Sequence, residues 1–184
     1  FNGHYQYWHH RDMLAAETVV EEVEARIAAT CGRRYPGLVD AYRCEDADLV
    51  LVTLGSAAGI ARDVADELRA AGTRAGVLRI RYLRPVPGRQ LAEALAGVAA
   101  VGVLEKDISF GGDGGAVFST VLAACARRGV ARPALNFIGG LGGADISRDQ
   151  VRACFADLER LATGRGEAGR VVFLGIDDEE GGLR

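Results

Sequence analysis

The chain of 184 residues has little of what most often marks chemistry. It holds one lysine, one methionine, one tryptophan, four cysteines and three histidines, and the histidines all fall within the first ten residues. With no histidine beyond His10, no imidazole base stands beside any later Ser or Cys to form a nucleophilic pair. Cys31, Cys44, Cys125 and Cys154 are too far apart for the close-paired spacing of a zinc or iron–sulfur site, and too few for a disulfide framework. A reducing, cytoplasmic setting is expected. Arg, Asp or Glu interrupts every apolar run before the roughly 18 residues a membrane span needs, so no membrane partner is expected. Lys and Arg number 22 against 25 Asp and Glu, a net charge of −3, and no basic run offers nucleic acid a footprint. Lys106, the sole lysine, reads as a compositional bias and carries no mechanism by itself. The opening residues lack the basic patch and apolar stretch of a secretory signal. The chain opens at Phe1 with its only methionine at Met13, which suggests a processed product, a fragment or a trimmed start.

What is present suits a globular domain. Apolar residues make up 49%, charged residues 26%, and glycine occurs 25 times, so one domain with an appendage is expected. Over residues 12–30 the apolar Leu14, Ala15, Val19, Val23 and Ile27 recur at helical spacing between glutamates, predicting an amphipathic helix closed near Gly32. A short strand follows at 38–43. The continuous apolar run 48–54 reads as a strand buried on both faces, and 76–81, 98–104 and 134–138 repeat the pattern. Helices are expected between them, at about 60–70, 90–95 and 116–128. Ser147 and Gln150 form a capping box at the head of a last helix reaching about residue 161. Residues 170–176 read as a terminal strand, followed by an acidic tail. Apolar strands spaced by helices need crossovers, so the fold class is an α/β/α sandwich with a mostly parallel sheet.

Several motifs invite a function, and each has a plainer explanation. Gly112-Asp113-Gly114 looks like the opening of a thiamine diphosphate motif, but Asn136, the only downstream Asn, lies too near and stands alone; a loop before a helix is the simpler reading. Gly139-Gly140-Leu141-Gly142-Gly143, with Gly142 and Gly143, and the turn holding Ser56 both sit between a strand and a helix, where amides can cradle an anion. A tight turn and a Ser56 N-cap are the structural alternatives. His4, His9 and His10, beside Tyr5, Tyr7 and Trp8, read as a buried or interfacial anchor rather than a zinc site. Arg79, Arg81 and Arg84 suit an anion or salt bridges across a subunit contact. No catalytic constellation emerges.

Four segments in order carry a resemblance. Ala47-Asp48-Leu49-Val50-Leu51-Val52-Thr53-Leu54-Gly55-Ser56, Leu78-Arg79-Ile80-Arg81-Tyr82-Leu83-Arg84-Pro85-Val86-Pro87, Val101-Gly102-Val103-Leu104-Glu105-Lys106-Asp107-Ile108-Ser109-Phe110-Gly111 and Asn136-Phe137-Ile138-Gly139-Gly140-Leu141-Gly142-Gly143-Ala144-Asp145-Ile146 are similar to the C-terminal part of the α chain of pyruvate:ferredoxin oxidoreductases. Phe173-Leu174-Gly175-Ile176 resembles the family's closing segment. The resemblance implies a transketolase C-terminal-like domain at 38–163, a five-stranded sheet whose first strand is antiparallel. It leaves 1–37 as an arm and linker helix and 164–184 as a C-terminal extension. It also implies an assembly that oxidises a 2-oxoacid on thiamine diphosphate with magnesium, iron–sulfur clusters and coenzyme A, and that passes electrons to ferredoxin. The thiamine-binding and iron–sulfur parts of that assembly would be other domains or subunits, making the chain part of an oligomer. No cofactor and no catalytic residue transfers to this chain. Asp113 stands where the family carries a small residue, and Ala144 where it usually has Arg.

An assembly role is therefore expected, and a free-standing small-ligand or nucleotide-binding module is the alternative. Asp107, Ser109, Phe110 and Gly111 are the candidate subunit interface, because one large aromatic stands there among glycines too small to bury it.

Overall fold

A computed structural model describes residues 2–176. The acidic tail expected after residue 176 lies outside the described residues. The chain runs α1 (Asn2–Cys31), β1 (Val39–Tyr42), β2 (Leu49–Leu54), α2 (Ala57–Ala70), β3 (Ala75–Ile80), α3 (Gly88–Leu95), β4 (Ala100–Glu105), α4 (Ala116–Ala126), β5 (Ala134–Ile138), a 3-10 turn (Leu141–Gly143), α5 (Arg148–Ala162) and β6 (Val171–Phe173).

The strands lie in the order β1-β3-β2-β4-β5-β6. Every neighbouring pair is parallel except β1 with β3, where Val39 faces Ile80 and Tyr42 faces Val77. The sheet has six strands rather than five because Val171–Phe173, in the segment assigned above to an extension, pairs with Asn136, Phe137 and Ile138 along β5.

Alternation along each strand divides the core in two. Val50 and Val52 of β2, with Leu78, Val101 and Val103, meet Leu91 and Leu95 of α3 and Phe118 and Val121 of α4. Leu49 and Leu51, with Val77, Leu104 and Phe137, meet Val64 of α2 and Phe155 and Leu158 of α5 on the opposite face. β4 is buried along its whole length because helices cover both faces. Leu51, Phe137 and Leu158 close around Gly102, where a Cβ would fall 2.9 Å from the first two side chains. Ser147 and Gln150 make the expected capping box at α5.

α1 departs from expectation. It begins at Asn2 instead of near residue 12, and its apolar stripe faces outward: Leu14, Val19 and Val23 are exposed while Glu24 is buried. Among the described residues no helix is long and apolar enough to cross a membrane.

Candidate functional site

Open parallel sheets bind ligands beyond the carboxyl ends of their strands, where the strand order reverses. Here that point lies between β2 and β4, since β3 flanks β2 on one side and β4 on the other. A cleft of about 390 Å³ opens there, lined by Thr53, Gly55, Ser56, Glu105, Lys106 and Ile146 among others.

The floor of the cleft is already satisfied from within. The Glu105 carboxylate, 4% exposed, accepts the backbone N–H of Val117 at 2.8 Å and of Phe118 at 2.9 Å, the first turn of α4. It therefore holds the position an external anion would take at that helix N-terminus. Asn136, wholly buried, completes the arrangement: its Oδ1 accepts Gly115 N–H at 2.7 Å, and its Nδ2 donates to Glu105 at 3.0 Å and to the Val103 carbonyl at 3.1 Å. The glycines before α4 owe their place to this contact. A Cβ on Gly115 would overlap the Glu105 carboxyl, and one on Gly114, whose φ is +108°, would come within 2.6 Å of Asn136 Oδ1.

This geometry tests the thiamine diphosphate reading of Gly112-Asp113-Gly114 directly. Asp113 is exposed, whereas both amide atoms of Asn136 are spent inside the fold, so the two do not converge on a metal. These residues do not fit the magnesium diphosphate. No group of three His, Cys, Asp or Glu side chains among the described residues is placed to hold a metal ion. Cys31 is exposed and Cys44, Cys125 and Cys154 are buried in separate places. Desolvation pushes the Cys44 thiol up to about 12 and raises Cys125 and Cys154 as well, so these three stay protonated.

The remaining candidates are dispersed. Ser56 precedes α2 but is not its cap in the expected sense: its own backbone is helical, at φ −72° and ψ −27°, and its side chain makes no capping bond. Gly142 and Gly143 are exposed at positive φ, with open space around them. Lys106 lies over Gly140, where a Cβ would fall 2.8 Å from its Cε. His4, His9 and His10 are exposed on α1, with Tyr5 stacked against His9 at 6.2 Å, and form no buried anchor. Arg81 pairs with Glu24 of α1 at 2.6 Å, within the chain. A larger hollow of about 760 Å³ lies at the β1 edge, and three of its carboxylates, Asp40, Asp46 and Asp48, are bound by Arg62, Arg69 and Arg74.

The loop after β4 differs from all of these. Ser109 N–H donates to the Gly114 carbonyl at 3.1 Å and Gly112 N–H to the Ser109 carbonyl at 2.9 Å, giving a compact turn. Asp107, Ser109, Phe110 and Gly111 are exposed on it, Phe110 to 96%. The sequence marked this loop through its lone aromatic. Its only sign of Glu105, whose partners lie 12 to 31 residues away, was a carboxylate ending an apolar strand.

Residues 47–151 match the family model described as pyruvate:ferredoxin oxidoreductase core domain II. The α subunit of the NADH-dependent phenylglyoxylate dehydrogenase of Aromatoleum evansii is 36% identical over 168 residues, 91% of this chain and 40% of that protein. Pyruvate synthase subunit PorA of Thermotoga maritima is 38% identical over 158 residues, covering 83% and 40% respectively. Ketoisovalerate oxidoreductase subunit VorA of Pyrococcus abyssi is 31% identical over 147 residues, covering 79% and 37%. The chain thus spans about two fifths of the length of these curated relatives. Among solved structures, an inactive β4 tetramer of a split-gene transketolase aligns with a TM-score of 0.51 at 22% identity, over 71% of this chain and 44% of that one, which shows a shared fold.

Proposed function

The chain belongs to the pyruvate:ferredoxin oxidoreductase core domain II family, and from that premise we propose that it is a non-catalytic assembly domain of a 2-oxoacid oxidoreductase that forms an acyl-coenzyme A. The observation that carries this reading is the sealed α4 N-terminus. A domain that bound a diphosphate in its switch-point cleft would leave those amides free, and here Glu105 takes them. Thiamine diphosphate, magnesium, iron–sulfur clusters and coenzyme A are accordingly assigned to other domains or subunits. Three relatives are named for phenylglyoxylate, pyruvate and ketoisovalerate, so the matched segment is compatible with different 2-oxoacids. Electrons would leave through the iron–sulfur parts toward ferredoxin, with this domain contributing position only. In this reading residues 38–163 form the body, 1–37 a linker to neighbouring parts of the assembly, and 164–184 an extension whose β6 completes the body's sheet. A reducing cytoplasm is the setting proposed.

Calorimetric titration of the chain with thiamine diphosphate and magnesium, and separately with coenzyme A, tests the reading. No binding is expected. Micromolar, magnesium-dependent uptake of thiamine diphosphate would overturn it and return the alternative of a ligand-binding module.

A further inference from the structure

We propose that the turn bearing Phe110 is a preformed plug, and that its receiver is an apolar socket with a basic rim on another subunit of the assembly. The inference rests on the assembly reading and adds the contact and the chemistry of its partner. Phe118, Phe137 and Phe155 are at most 4% exposed, whereas Phe110 is 96% exposed. Its surroundings offer no side chain to cover it, since Gly111 and Gly112 follow at once and a Cβ on Gly111 would meet nothing within 4 Å. An aromatic left in water on a floppy loop would cost ordering entropy on docking. This one is held, by the Ser109–Gly114 and Gly112–Ser109 backbone bonds at the tip and by Asn136 and Glu105 at the base.

Charge selects the receiver. Asp107 and Asp113, at either end of the turn, are both exposed, and neither has an ion-pair partner within 4.0 Å among the described residues. The nearest cation in sequence, Lys106, is turned onto Gly140. An aromatic flanked by two free carboxylates fits a socket whose rim supplies Arg or Lys, and a rim of that kind both steers the encounter and fixes its orientation.

The test measures binding of the full chain to the remaining subunits of the oxidoreductase, immobilised, at low and high salt. Phe110→Ala should weaken binding at least about tenfold while the melting temperature of the chain stays unchanged. Asp107→Asn with Asp113→Asn should weaken binding at low salt and flatten its salt dependence. Unchanged binding by Phe110→Ala would overturn the inference, as would a wild-type homodimer that the same substitution dissolves, because the receiver would then be a second copy. A wild-type chain that fails to bind the subunits at all would instead overturn the assembly reading.

Discussion

Glu105 and Asn136 close the carboxyl end of β4 and β5 by a division of labour. The carboxylate takes two amides of α4, the carboxamide takes a third from Gly115, and the two side chains bind each other. Removing the carboxylate leaves buried N–H groups without an acceptor, so Glu105→Ala should cost about 3 kcal/mol or more in chemical denaturation. Gly115→Ala should be of similar severity even though it deletes nothing, because its methyl group and the Glu105 carboxyl cannot share one space. The cysteines give a second residue-scale expectation. An unfolded Cys44 ionises near 9.0 and the folded one at about 12, so its protonated form is favoured by folding. Its contribution to stability is full below the unfolded value and is lost as pH rises from 9 toward 12, in the same direction as for Cys125 and Cys154. Denaturation midpoints followed from neutral to alkaline pH should fall through that window. Thiol labelling of the native chain should reach Cys31 and leave the three buried cysteines unmodified until unfolding.

Among the elements, α1 is joined to the body by polar contacts. Glu24 accepts Gly37 N–H at 2.9 Å and pairs with Arg81 at 2.6 Å, and Gln90 donates to Glu17 at 2.6 Å. Helical spacing in the sequence revealed the helix but not which face would dock, since periodicity reports an apolar stripe and is silent on what covers it. Leu14, Val19 and Val23 look like the buried face by every local rule, yet the anchor is a glutamate whose partners arrive from residues 37 and 81. Glu24→Ala should therefore detach the helix from the body at a cost of about 2 to 3 kcal/mol, seen as a lower and broader thermal transition. Serine at Leu14, Val19 or Val23 should shift stability of the chain by under about 0.5 kcal/mol. The strands were more legible. Runs such as Leu49-Val50-Leu51-Val52 are apolar at every position because helices cover both faces, a condition written locally, and β2 lies where the run predicts it. β6 was visible as a strand but not as a sheet member, since its place beside β5 depends on the path of the chain after α5.

At the scale of the molecule, the parallel pairings of β2 to β6 and the two cores agree with what buried strands and crossover helices demand, whereas the antiparallel β1 agrees with what the family resemblance implied. The cleft at the switch point was expected from the fold alone; the capture of the α4 amides by Glu105 was not, because that depends on contacts between β4 and a helix 12 residues on. A domain whose α4 amides are taken from within, with one aromatic turn left in water, fits the proposed role of being held by neighbours. Native mass spectrometry of the other subunits of the proposed oxidoreductase, with and without this chain and paired with a turnover assay, puts that account to its most direct test. The account predicts a stable gain in mass on adding the chain, 2-oxoacid oxidation by the completed complex, and none by the chain alone. An unchanged mass, or turnover by the isolated chain, would contradict it.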